Sequence, residues 1–187
     1  MKESFDLDAM ASRLSTPLHE YHQHQGTTNN CGPTSLAIAA NAIRGQTQLQ
    51  GPIVAQELST PKFRVRPIPH LVIRRIPNWA TFPWGIVDYL HQQGLTAHWA
   101  VGGTEERLQH NLATEQITIV LIGELWSWRR WHYTGWAHFK VLYGFTTGRG
   151  YLFVDPARGD KHGLSWQTTA EFLQQWRNLF RIYVEVN

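Results

Sequence analysis

Gln25-Gly-Thr-Thr-Asn-Asn-Cys31-Gly-Pro-Thr-Ser-Leu36 contains the only cysteine of this 187-residue chain. Several signals place that cysteine at the start of a helix. Pro33 suits a first helical turn, where its missing N–H leaves no bond unmade. Leu36, Ala37, Ala40 and Ile43 follow at helical spacing, and Gly45 supplies a stop, so the pattern predicts a helix over 33–44. The small residues Ala37, Ala39, Ala40 and Ala42 predict close packing against a sheet or another helix. A thiol at such a position meets the positive end of the helix dipole and unpaired backbone N–H groups, and both favour the thiolate. A prepared nucleophile calls for a base, a group that orients the base, and an oxyanion donor.

The rest of the chain reads as α+β, with helices in the first half and an antiparallel sheet in the second. A short helix is expected around Asp8–Leu14. Residues 46–80 carry Pro52, Pro61, Pro67, Pro69 and Pro77 and are expected to be irregular, an insert without long elements. Thr81 is a candidate cap for a helix carrying Ile86, Val87 and Leu90 and ending at Gly94. Leu95–Val101 alternates as a strand. Thr104 caps a helix through about Ala113, and Ile117–Ile122 is a buried strand. Trp126 to Trp136 reads as an aromatic loop. His138–Phe145 and Tyr151–Val154 form a hairpin around Gly148 and Gly150. Thr168-Thr-Ala-Glu171 is a capping box that opens a helix with Phe172, Leu173 and Trp176 on one face. The final strand is Phe180–Val186.

Composition narrows the function. A hydrophobic content of 42% supports a real core in one domain spanning 1–187. The net charge of +3 does not imply a nucleic-acid partner. One cysteine excludes an internal disulfide framework and fits a reducing compartment, so a soluble, cytoplasmic protein is expected. The first residues contain acids and no apolar run, unlike a signal peptide. No stretch approaches the roughly 18 apolar residues of a membrane span. His19, His22 and His24 miss the His-Glu-x-x-His zinc spacing and read as a solvated approach to the cysteine. No metal and no cofactor is expected. Lys62, Arg64, Arg66, Arg74 and Arg75 form a basic run without an acid, either a solvated loop or a flank that attracts an acidic substrate or partner.

The chemistry asks for more than a thiolate. Histidine can serve as base and then as acid near neutral pH. His138 begins a strand, a rigid support, and Asp155 ends the next one. Pro156 biases Asp155 to an extended conformation. With a hairpin loop of even length, Thr147-Gly148 or Thr146–Arg149, position 157 falls opposite His138. Asp155 then lies on the same face as a diagonal neighbour. An odd loop sends the two side chains to opposite faces unless a bulge intervenes. The even register is predicted. Asp160 is a nearby alternative to Asp155. For the oxyanion, the Cys31 N–H is one donor and the Gln25 side-chain amide the other, with Gly26 permitting the reversal between them; Gln23 is the alternative. Trp126, Trp128, Trp131 and Trp136 are candidates to wall a substrate groove, or to pack the sheet edge.

Gln25-x5-Cys31-Gly-Pro-Thr-Ser-Leu, His138-Phe-Lys-Val-Leu-Tyr-Gly and Asp155-Pro-Ala-Arg-Gly together resemble the C39-like branch of papain-like cysteine peptidases, in order across residues 19–186. The resemblance implies a papain-like fold, with the Cys31 helix packed on an antiparallel sheet. It implies Cys31 as nucleophile, His138 as general base and acid, Asp155 as orienter and Gln25 as oxyanion-hole donor. A peptide or protein is the implied substrate. Exporter-fused members cut leader peptides after a Gly-Gly pair. This sequence carries no transporter or ATPase region and is expected to be a stand-alone member. A deamidase or transglutaminase-type enzyme, or a silent peptide-binding domain, would use the same cleft.

Overall fold

A computed structural model of the chain describes residues 12–64, 70–127 and 132–187. Strand β1 (Ser12–Arg13) leads through a 3-10 turn (Leu18–Tyr21) to helix α1 (Cys31–Arg44) and helix α2 (Gly51–Ser59). Short strands β2 (Lys62–Arg64), β3 (His70–Val72), β4 (Arg75–Ile76) and β5 (Ala80–Thr81) precede helix α3 (Pro83–Gln92). Strand β6 (Ala97–Ala100), helix α4 (Glu105–Ala113), β7 (Ile117–Ser127), β8 (His132–Thr146), β9 (Gly150–Val154) and β10 (Leu164–Gln167) follow. Helix α5 (Thr169–Asn178) and strand β11 (Tyr183–Val186) complete the described chain.

The main sheet runs β10-β9-β8-β7-β11-β6, and β1 pairs with β8 beyond the point where β7 stops. Every pairing is antiparallel, as the α+β reading expects. Helix α1 packs against β8 and α2, and α5 against β7 and β9. The run from Leu36 to Ala40 is fully buried, so the small residues of α1 allow the close approach that their pattern predicts. Trp176 of α5 is also fully buried, stacked on Phe172 and edge-on to Tyr183. Two of the three predicted N-caps hold: Thr104 accepts from the Arg107 N–H and Thr168 from the Glu171 N–H.

Several expectations change. Residues 51–59 are helical because Pro52 falls in the first turn, where proline is tolerated, and Val54, Ala55 and Leu58 bury against the core. Ser12 and Arg13 form a strand rather than the end of a helix, pairing with Phe145 and Gly144, and Leu14 is not helical either; residues 8–11 of that predicted helix lie outside the described residues. Thr81 does not cap α3. Phe82 occupies that position, and the Thr81 side chain packs where a Cβ on Gly32 would sit. The aromatic stretch is mostly strand, since the β7–β8 ladder continues to Ser127↔His132 past an irregularity at Glu124. The last strand begins at Tyr183 because Phe180 and Arg181 adopt positive φ of 56° and 52°.

The hairpin register is the most instructive difference. The β8–β9 loop has odd length, Thr147-Gly148-Arg149, since Thr146 pairs with Gly150. A bulge between Leu142 and Gly144 then restores the phase, because the pairs shift from Gly144↔Leu152 to Leu142↔Phe153. The extra residue, Tyr143, is buried. Its carbonyl accepts from Leu14 N–H at 3.1 Å, and its hydroxyl meets His19 Nδ1 at 2.8 Å. Continuing the register past Val141↔Val154 sets Lys140 opposite Asp155 and His138 opposite Ala157, the alignment that an even loop would have produced.

Gly150 starts the return strand with φ of 104°, and a Cβ there would run into the Gln167 carbonyl. Gly150→Ala is therefore expected to cost about 1–3 kcal/mol, measured as a lowered urea midpoint at unchanged slope.

Candidate active site

Asn30 precedes α1 and makes no side-chain cap, so the helix begins with Cys31 half-buried at its first turn. Ser35, one turn on, donates to the Phe139 carbonyl at 3.1 Å. That bond docks the helix start directly beside His138. Gly32 is required here, because a Cβ would collide with the Thr81 side chain.

His138 and Asp155 meet as their shared face requires, with His138 Nε2 2.6 Å from Asp155 Oδ1. Asp155 leaves the other ring nitrogen, Nδ1, unused, and Cys31 is near enough for the thiol and the ring to shift each other's pKa. Asp155 is fixed from several sides. Its Oδ1 also accepts from the Ala157 N–H at 2.9 Å, and its Oδ2 lies 2.9 Å from Lys140 Nζ. Its own N–H donates to the Gly163 carbonyl, and its carbonyl meets His22 Nε2 at 3.1 Å. Asp160 instead pairs with Arg158 at 2.7 Å, which removes it as an alternative partner for His138.

These contacts set the charges. Burial favours a neutral imidazole, but the hydrogen bonds and charges of Asp155 and Cys31 outweigh it and raise the His138 pKa to about 9. Burial likewise disfavours a charged Asp155. The His138 bond, Lys140 and the Ala157 N–H prevail and hold its carboxyl well below the usual carboxylate range. Cys31 follows the same logic: burial raises its pKa, yet the bond and charge of His138 bring it below the ordinary thiol value. Both shifts run toward a thiolate beside an imidazolium.

Gln25 borders the same cleft. Its backbone N–H donates to the Pro156 carbonyl at 2.8 Å, which joins the Gln25 loop to the Asp155 segment. One side-chain N–H goes to the Thr28 carbonyl at 3.0 Å; an amide has a second to offer. Gly26 makes the reversal with φ of 66°. Gln23 is committed elsewhere, donating to the Leu49 carbonyl and accepting from the Gly51 N–H. The three upstream histidines differ from a solvated approach. His19 and His22 are half-buried and hydrogen-bonded as described, and only His24 is exposed.

No family model matches the sequence, and no curated protein does. Solved structures do match. A protein from Bacillus anthracis described as a C39-like peptidase superposes with a TM-score of 0.65, covering 94% of this chain and 97% of that one at 12% identity. The double-glycine-motif protease of an AMS/PCAT transporter, solved with its leader peptide, superposes with a TM-score of 0.59 at 16% identity, covering 94% of each chain. The chain has the fold of a C39-like peptidase.

In this C39-like fold the cleft beside Cys31 and His138 has a volume of about 450 Å³. Trp136 lines it and is 38% exposed. Trp126 lies in β7 opposite Tyr133, and Trp128 and Trp131 fall outside the described residues. The other walls come from segments that no motif marked: Trp79 and Phe82 before α3, Trp84 in its first turn, and Leu179 and Ile182 after α5. Phe82 stacks on Trp84 at 4.5 Å between centroids, which makes one wall a continuous aromatic surface.

Three members of the basic run have partners within the fold. Lys62 and Arg74 both pair with Asp88, at 3.1 Å and 3.3 Å. Arg74 also donates to the Glu57 and Thr60 carbonyls, and Arg75 reaches Asn30. The Arg64 side chain and Arg66 fall outside the described residues. Lys140 likewise went unmarked, although its position two residues along the strand from His138 was the available signal.

Following the His138 imidazole by NMR is expected to give a midpoint near 9. Removing either neighbour should lower it, so Asp155→Asn and Cys31→Ala each move the midpoint toward the ordinary value of about 6.5.

Proposed function

We propose that this protein is a cysteine peptidase that hydrolyses a peptide or amide bond through a Cys31–His138–Asp155 triad. The observation that carries the proposal is the 2.6 Å contact between His138 Nε2 and Asp155 Oδ1, with Cys31 and His138 lining the same cleft. The thiolate attacks the scissile carbonyl carbon and forms a tetrahedral oxyanion. The Cys31 N–H and the free Gln25 amide N–H stabilise that charge. The imidazolium of His138 gives its proton to the leaving amine as the C–N bond breaks, and a thioester remains on Cys31. Water then loses a proton to His138 and attacks the thioester, which releases the acid and restores the thiolate. Asp155 keeps Nδ1 directed at Cys31 throughout, and Lys140 keeps Asp155 ionised.

The aromatic walls favour a peptide that presents apolar side chains near the scissile bond. The working unit is one domain over 1–187. A lone thiol suits the reducing cytoplasm as the site of action. Among the described residues no helix is long and apolar enough to cross a membrane.

Peptides from a proteome-derived library, incubated with the protein and profiled by mass spectrometry, are expected to show new termini that vanish with Cys31→Ala. Turnover retained in that variant, or ammonia release without chain cleavage, would falsify backbone hydrolysis at Cys31. Gln25→Ala is expected to lower kcat about 10²- to 10³-fold with little change in KM, the pattern of a group that acts in the transition state.

A further inference from the structure

The β4–β5 hairpin grips the nucleophile loop at three places. At its tip the Asn78 carbonyl accepts from Asn29 Nδ2 at 2.6 Å. On β5 the Thr81 side chain packs against Gly32. Opposite Thr81 on β4 stands Arg75, whose Nη2 donates to Asn30 Oδ1 at 2.6 Å and reaches the Asn29 carbonyl at 3.5 Å. Asn30 is the residue from which α1 starts and the neighbour of Cys31.

Arg75 is unusual in its company. It is 7% exposed, yet its hydrogen bonds all go to neutral oxygens: Asn30, Asn29 and the Ser59 hydroxyl at 2.9 Å. Its buried Nε has no partner among the described residues. Its neighbour Arg74 took the carboxylate of Asp88 instead. A buried guanidinium without an anion is costly unless a negative charge lies within reach. Burial disfavours the Arg75 charge, and the group that opposes this is the Cys31 thiolate.

We propose that Arg75 is a positioning residue for Cys31: through Asn30 it fixes the start of α1, and its buried positive charge supports the thiolate. Other charges act on Cys31 from identified places. His138 faces it from β8, with Asp155 and Lys140 behind the ring, and the first turn of α1 contributes no acid. Arg75 is thus a second cation for the thiolate, one that does not give up its proton during turnover. The proposal rests on the reading of Cys31 as nucleophile.

The chain has a single cysteine, so the pH dependence of iodoacetamide alkylation of the full-length protein reports Cys31 alone. Wild-type protein is expected to show a midpoint below the ordinary value of about 8.5. Arg75→Gln should raise it by about one pH unit. Arg75→Lys, which keeps the charge and loses the fork, should leave the midpoint near wild type while lowering kcat/KM. Ser59→Asp sets a carboxylate against Arg75 without removing it, and should raise the midpoint even if Arg75→Gln does not fold. A midpoint unchanged in Arg75→Gln or Ser59→Asp, or one as high in Arg75→Lys as in Arg75→Gln, overturns the role of Arg75. A wild-type midpoint near 8.5 instead overturns Cys31 as an activated thiol, and the two failures are distinct.

Discussion

Side chains on a strand alternate between two faces, and that period of two governs this site. His138 and Asp155 come from neighbouring strands and touch at 2.6 Å only because both project to the same face. A single residue more or less between them would turn one away. The chain contains two odd steps, the loop Thr147-Gly148-Arg149 and the bulge at Tyr143, and they cancel. Lys140 shares that face, so one phase sets three charges at once.

Tyr143 therefore matters beyond its own packing. Its backbone carbonyl holds Leu14, and its hydroxyl holds His19. The N-terminal segment thus braces the bulge, then continues past His22, which touches the Asp155 carbonyl, to the Gln25 loop tied to Pro156. From β1 to Cys31 the chain lies alongside the hairpin that carries His138 and leads to Asp155. The Ser35 bond to Phe139 closes the arrangement from the helix side.

Much of this was legible in the sequence, and the remainder was hidden for identifiable reasons. Cys31, His138 and Asp155 stood out because helix starts and strand ends leave local marks: Pro33, Gly45 and Asp155-Pro156. The α+β order followed from periodicity. Helix α2 was obscured because proline density was read as irregularity, although Pro52 occupies the one turn that accepts it. The bulge was illegible, since nothing local in Leu142-Tyr143-Gly144 states that a loop four residues later is odd. The roles of Arg74, Arg75 and Lys62 were hidden because a charge run has no period. Their partners, Asp88 and Asn30, are separated from them in sequence and are found only by folding. The cleft walls were partly missed for the same reason, because Trp79, Phe82 and Ile182 meet only in three dimensions.

The pairing of β1 with β8, Ser12 against Phe145, joins residues more than a hundred positions apart, as does the contact of Cys31 with His138. Contacts of such long range form late in folding, after the entropy of closing large loops has been overcome. An emerging chain on the ribosome holds Cys31 long before it holds β8. In that interval the thiol has neither its imidazole nor its helix dock, and it behaves as an ordinary, weakly ionised cysteine. Ionisation of the thiol is consequently tied to completion of the chain: a truncated or misfolded copy carries Cys31 but not the imidazole that lowers its pKa.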